Sequence, residues 1–360
     1  MSTPEHRSAW RGLRLAALIV GASLGLLLAE GLVRSLALDT KALEPLVPRN
    51  RADPEVHQGV DDEELLYVFA PDAAVVFEQP VTWGVGTRAV TINSLGHRDA
   101  PRDPAHRPDL RILAVGGSNT YGAVVADADT WPRRLEEELR GRTGKDIEVW
   151  NLGAPGYMTR QKLRLLETRV GDYRPDLILL QTYNTGPRFF FHGDDIAARI
   201  RADDTIWSEL LLHVPRGADG RPSRFFRSSA LVRLAVVVQN RIARSREPDV
   251  HLGSLTEIIE GEEAGRLRAA LNGPLSGTPT VAFITPAGAP RRQIDESGVA
   301  SFDLRDSQVP SGEEAVAVHP GASIHRWYGR AIADRLLAAG CIAQEGPCFG
   351  TLPVRPSPER

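Results

Sequence analysis

The sequence predicts a doubly wound α/β fold around a parallel sheet of about five strands. Five short apolar runs, 112–115, 147–151, 176–181, 280–285 and 299–304, are rich in Val, Ile and Leu and read as strands buried on both faces. Segments with helical spacing lie between them, the order expected of strand–helix–strand units. Short blocks holding glycine, serine or asparagine follow the first three runs, at the edge where open α/β sheets hold their ligands.

The chain opens with an apolar stretch from Leu15 to Ala29, preceded by Arg7, Arg11 and Arg14. Fifteen helical residues reach only about 22 Å. With the arginines snorkelling and Glu30 at the interface, a span of about Leu13 to Val33 can cross a bilayer core. A cleaved signal peptide is the rival reading, although no small-x-small cleavage site follows the run. The arginine excess before the span predicts a cytoplasmic N-terminus and an exported body, periplasmic or extracellular. Residues 1–38 are thus expected to be a cytoplasmic tip and single-pass anchor.

Residues 39–64 are polar and proline-bearing and read as a linker. A body over 65–340 follows. Ala73–Phe77 and Arg88–Ile92 read as strands of a small accessory sheet or hairpin. Trp131-Pro132 opens a helix that Asp129 or Thr130 can cap, and Thr159 can cap the next. Residues 187–277 read as a helical insertion covering the active-site edge, with amphipathic helices from Ser229 to Ile242 and from Leu255 to Leu271. A last helix runs from Ile324 to Ala338 and Gly340 stops it. Residues 341–360 form a tail in which Cys341 and Cys348 can close a local disulfide in an oxidising compartment.

Composition narrows the function. Net charge is −3, and the 43 Lys and Arg residues are interspersed with 46 acids, with no basic helix or interleaved aromatic-basic patch for a nucleic acid. No Gly-x-x-x-x-Gly-Lys-Ser/Thr and no Gly-x-Gly-x-x-Gly after a strand is present, so no phosphate or dinucleotide cofactor is expected. No His, Cys and carboxylate spacing recommends a metal, and the expected cofactor list is empty.

Four blocks stand after successive strands: Gly116-Gly117-Ser118, Asn151-Leu-Gly153-Ala-Pro-Gly156, Thr182-Tyr-Asn184-Thr185 and Val318-His319-Pro320. Serine, glycine, asparagine and histidine in that order resemble the SGNH (GDSL-like) hydrolases over about residues 92–337. Asn93-Ser-Leu-Gly-His-Arg98 resembles the lead-in of membrane-anchored members. The resemblance implies a three-layer, flavodoxin-like strand order. It implies an acyl-ester substrate, with O-acylated envelope glycan as one class. Ser118 would be the nucleophile and His319 its base. The oxyanion would be held by the N–H groups of Ser118 and Gly153 and the Asn184 amide. His325 is expected to have a packing or capping role.

The sequence departs from the family at three points. Gly117 stands for the aspartate of Gly-Asp-Ser, and Thr182 and Thr185 replace the neighbours of the family asparagine. Val316 occupies the position of the aspartate that orients the histidine. Glu313, Glu314, Asp303 and Asp306 lie upstream at other spacings. A Ser118–His319 dyad oriented by a main-chain carbonyl is therefore expected rather than a triad. A binding or envelope accessory protein on the same fold is the alternative.

Overall fold

A computed structural model describes residues 4–50, 56–77, 88–182, 186–191, 196–218, 221–286, 291–305, 307, 310 and 319–342. Its helices are α1 (Pro4–Ser35), α2 (Leu38–Leu43), α3 (Ser118–Tyr121), α4 (Trp131–Thr143), α5 (Thr159–Tyr173), α6 (Ile196–Ala202), α7 (Thr205–Leu210), α8 (Arg224–Ser228), α9 (Ala230–Arg246), α10 (Pro248–Asn272), α11 (Arg291–Ser297) and α12 (Ala322–Ala338). The strands are β1 (Arg49–Asn50), β2 (His57–Gly59), β3 (Tyr67–Phe69), β4 (Ala74–Phe77), β5 (Arg88–Thr91), β6 (Leu110–Gly116), β7 (Ile147–Gly153), β8 (Leu177–Gln181), β9 (Phe190–Phe191), β10 (Thr280–Ile284) and β11 (Ala300–Asp303). They fall into two units: Met1–Val47 with Asp195–Leu255, and Pro48–Asp194 with Thr256–Arg360.

The first unit gathers α1, α2 and α6 to α9. Within α1, Leu13–Ser35 is long and apolar enough to cross a membrane, as a signal sequence or a single-pass anchor would be. Its 23 residues reach about 34 Å at 1.5 Å each. Residues 13–28 are exposed. Glu30 does more than interrupt the run. Its carboxylate accepts the N–H groups of Ala230 and Leu231 at 2.8 and 2.9 Å and the Ser229 hydroxyl at 2.8 Å. It therefore satisfies donors that the first turn of α9 leaves unpaired. The Ser229 hydroxyl in turn accepts from Val232 N–H and caps α9.

Part of 39–64, the stretch expected to be a linker, is buried. Asp39, Thr40 and Leu43 are buried in α2, and Asp39 pairs with Arg233 of α9 at 2.7 Å. A polar composition concealed partnered polar groups. Val56 is likewise buried in the second unit.

The second unit is built on the five expected strands. The sheet order is β11-β10-β8-β6-β7, and all pairs are parallel. In order of occurrence this is 2-1-3-4-5, the flavodoxin-like arrangement, whose switch point lies between the first and third strands. Alternate residues take opposite faces. Leu110, Ile112 and Ala114 share a core with Trp131, Leu135 and Leu139 of α4 and Ile324, Tyr328 and Ile332 of α12. On the other face Arg111 is buried against Glu148 at 3.0 Å and the Tyr173 carbonyl of α5 at 2.7 Å. β4 and β5 form the expected antiparallel hairpin.

The outer edge of β7 is closed by side chains rather than by another strand. Glu136 accepts the Val149 N–H at 2.8 Å and Asp99 accepts that of Asn151 at 3.1 Å. Arg102 joins both carboxylates and the Val149 carbonyl. This occupies groups through which an open sheet edge could recruit a further strand.

Two expected helix caps are corrected. Thr130 precedes α4, but its hydroxyl donates to the Asp127 carbonyl. Asp129 accepts from Arg134. The Trp131 N–H is instead taken by Nδ1 of His325, 194 residues away, at 3.0 Å. Thr159 is the first residue of α5 rather than its cap; Gln161 accepts the Met158 N–H. In both cases a tertiary partner or a neighbouring amide reached the donor first. Cys341 is disulfide-bonded, and Cys348 lies outside the described residues.

α12 approaches α4 at Gly329, where an added Cβ would stand 2.8 Å from Arg134 Cβ and 2.9 Å from Leu135 N. Gly329→Leu is expected to force the helices apart and lower stability by about 1–3 kcal/mol or more, as overpacking does. Urea denaturation checks this, and an unchanged midpoint would show that the helices can separate freely.

Candidate active site

Ser118 is the first residue of α3, immediately beyond β6. It thus stands at the switch-point edge of the sheet. The turn into it requires glycine. A Cβ on Gly116 would sit 1.9 Å from Thr120 Oγ1 and 2.8 Å from Gln181 Oε1. Those two atoms are themselves bonded, the Thr120 hydroxyl donating to Gln181 at 2.6 Å. Thr120 therefore faces the sheet, and Ser118, about 200° round the helix, faces away from it. Ser118 is half-buried, and no described bond engages its N–H or hydroxyl.

The loop after α3 is held by one buried guanidinium. Arg98 donates to the carbonyls of Tyr121 at 3.1 Å, Gly122 at 2.5 Å and Val125 at 2.6 Å, and to the Asp127 carboxylate at 2.7 Å. Arg98 ends the lead-in 93–98. The lead-in is folded on itself: Asn93 accepts the N–H groups of Leu95 and His97, and Gly96 has φ +77°. The resemblance of the lead-in alone gives Arg98 no role. A basic residue closing a tight turn before the serine block was the available signal.

Gly153 is beside the serine turn, paired with Gly116. Its need for glycine is steric, since a Cβ there would lie 2.2 Å from the Tyr121 nitrogen. Its N–H, expected to face an oxyanion, donates to Asn151 Oδ1 at 3.0 Å. The close backbone approach is to α3. The turn beyond it presents another glycine, Gly156, at φ +77°. The Tyr157 N–H closes that turn on the Ala154 carbonyl, and Tyr67 and Tyr157 brace it by hydroxyl-to-carbonyl bonds. No described bond uses the Gly156 N–H. Pro155-Gly156 after a strand end was the sequence signal for it.

Asn184 lies outside the described residues, which stop at Thr182. The strand end leading to it is fixed to the serine turn by the Thr120–Gln181 bond. Buried Lys162 also donates to the Gln181 carbonyl at 3.0 Å. Burial pulls the Lys162 ammonium down to about 8, against the opposing pull of Glu263. Around these strand ends Asn119, Thr182 and Thr285 are buried with side-chain polar atoms that have no protein partner among the described residues. Such atoms call for water or a ligand.

His319 is half-buried just before α12. The His325–Trp131 bond pins the first turn of α12 to that of α4, which starts at the carboxyl edge of the sheet. Topology thus brings His319 to the same edge as Ser118. Among the upstream acids, Asp303 is paired with Arg305 at 2.5 Å. Asp306, Glu313, Glu314 and Val316 lie outside the described residues. Among the described residues no group of His, Cys, Asp and Glu is arranged to hold a metal ion.

No family model matches the sequence, and no curated protein matches it. Several solved structures are similar. The lipase/acylhydrolase from Enterococcus faecalis is 15% identical, with 64% of this chain and 96% of that one covered and a TM-score of 0.32. The psychrotrophic esterase EstA from Pseudoalteromonas sp. is 13% identical over 62% and 94%, with a TM-score of 0.29. A two-domain esterase active on acetylated mannans is 12% identical over 66% and 51%, with a TM-score of 0.36. Likeness at this level carries no assignment of activity. The fold rests on the strand order itself.

His325 and His97 are both fully buried, and burial draws each down to about 3, with Arg98 adding to the shift of His325 and Arg169 to that of His97. Their folded values lie below the unfolded value near 6.5, so the unfolded chain binds more protons between pH 6.5 and 3. Stability from these rings is complete above about pH 6.5 and is lost on acidification through that window. The loss is about 2 kcal/mol per ring by pH 5. Denaturant titrations at pH 7 and 5 should show it, and His325→Gln should remove one ring's share. An acid slope unaltered in that variant would mean that His325 titrates normally.

Proposed function

We propose that this protein is a serine ester hydrolase or O-acyltransferase of SGNH type, anchored by α1 with its N-terminus cytoplasmic and its body exported. The observation that carries the reading is Ser118. It stands at the switch point of a 2-1-3-4-5 sheet on a turn that only glycine permits, on the side of α3 opposite Thr120. In this reading Ser118 attacks an acyl carbonyl while His319 takes its proton. The N–H groups of Ser118 and Gly156 and the Asn184 amide receive the developing oxyanion. Gly156 replaces Gly153 because the Gly153 N–H is spent on Asn151. His319 then returns the proton to the leaving alcohol, and water or an acceptor hydroxyl attacks the acyl-enzyme by the reverse steps.

A main-chain carbonyl orients His319 in this scheme. Asp303 is engaged by Arg305, and Val316 cannot accept a hydrogen bond from the ring through its side chain. The missing acid also motivates the second reading, a binding or accessory protein on the same fold. O-acylated envelope glycans are the first substrates to try.

A fluorophosphonate probe separates the two readings. The enzyme reading expects labelling of wild type and none of Ser118→Ala, activity retained in Glu313→Gln and Glu314→Gln, and activity lost in His319→Ala. A glutamate variant as inactive as the histidine variant would restore a triad. Absence of labelling would favour the binding protein. Asn184→Ala should lower turnover by about 100- to 1,000-fold, the usual effect of losing one oxyanion donor. Turnover equal to wild type would take Asn184 out of the site.

A further inference from the structure

We propose that α9 lies on the surface of the membrane that α1 crosses, with its apolar face against anionic lipid. This goes beyond the hydrolase reading and rests on α1 being retained as an anchor. Every observation for it comes from the first unit.

The first observation is where α9 begins. Residues 13–28 of α1 are exposed, and from residue 13 onward the described contacts of α1 fall near its end. Glu30 receives the Ser229 hydroxyl and the N–H groups of Ala230 and Leu231. Arg34 donates to the Ser228 carbonyl and to Glu30. The start of α9 is therefore tied to the last turns of the span, where a carboxylate and a guanidinium mark the polar boundary. Because the span itself is left bare, α9 does not run beside it through the bilayer.

The second observation is the open face. Leu231, Leu234, Ala235, Val238 and Ile242 line one groove with Gln239. At 100° per residue these five apolar positions fall within about 60° of one line. Val238 is 46% and Ile242 48% exposed. The opposite line is spent on the unit's interior, where Val236, Val237 and Asn240 are buried. Phe225 of α8, three residues before Ser228, is 67% exposed, an aromatic at the level where Arg34 ties down the chain.

The third observation is charge, and it selects the occupant. The stretch ALVRLAVVVQNRIARSR contains no acid. Of its arginines, Arg233 is paired with Asp39, while no ion pair among the described residues engages Arg241, Arg244 or Arg246. Arg241 and Arg246 flank the apolar line on either side, about 60–80° from it. An apolar stripe bordered by guanidinium groups is the pattern of a helix in the plane of an anionic interface. A protein partner would have to match three unpaired arginines, whereas phospholipid headgroups beside the anchor supply the counter-charge at once.

The test uses the full chain reconstituted in vesicles of phosphatidylglycerol and phosphatidylcholine. Nitroxide labels at Val238→Cys and Ile242→Cys are expected to relax several-fold more with oxygen than with an aqueous nickel complex. Greater access to nickel would overturn the proposal, as would shielding from both reagents, which would mean that protein, including a second copy, covers the face. The unaltered chain provides a check that needs no substitution. A photoactivatable phospholipid should cross-link to peptides within residues 231–242, with a yield that falls several-fold when phosphatidylglycerol is omitted. Cross-links confined to α1 would overturn the proposal. A mature chain that begins beyond α1 would remove the anchor and this inference together. An intact anchor with a water-exposed α9 would remove the inference alone, and fluorophosphonate labelling reports the hydrolase reading independently of both.

Discussion

The Arg98 guanidinium is the interaction on which the candidate site depends. A four-residue helix such as α3 cannot hold its own shape, because its terminal carbonyls have no helical partners. Arg98 supplies donors to three carbonyls beyond the serine and pairs with Asp127. Three hydrogen bonds to neutral carbonyls and one to a carboxylate offset the cost of burying the charge. The serine turn is thereby clamped from below, while Gly116 and Gly153 let the backbones of β6 and β7 approach it. Thr120 and Gln181 then fix the next strand end to the same turn. The local geometry of Ser118 is determined by residues from three strand ends and one loop, none of which needs to react.

A second constraint acts on the histidine. His325 stays neutral because it is buried near Arg98, and only a neutral ring has an Nδ1 able to accept the Trp131 N–H. The same bond caps α4 and positions the start of α12. Gly329 lets the two helices lie close enough for that bond to form. His319, six residues upstream, inherits its location from this packing. The reactive histidine of the proposal and the structural histidine of α12 therefore do different work on the same short segment.

Glu30 shows a similar economy in the first unit. Read alone, it is a flaw in an apolar run. In the structure it is the acceptor that the first turn of α9 requires, so the end of the apolar helix and the beginning of an amphipathic one are specified by a single carboxylate.

The sequence by itself determined the secondary structure of the sheet and the order of its strands along the chain. Apolar runs of four to seven residues have few alternatives to a buried strand, and their alternation with helices dictates a parallel sheet. It also placed Ser118 just beyond the end of the first strand, because two glycines interrupt the apolar run there. What the tertiary structure decided were the partners. The cap of α4 came from His325 across 194 positions, the Gly153 N–H went to Asn151, and Asp39 acquired a buried role through Arg233. Each of these is a hydrogen-bond donor or acceptor seeking the nearest complement in space. Propensity and periodicity describe what a segment does with its own neighbours. Which distant group reaches a polar atom first is settled only when the helices have packed.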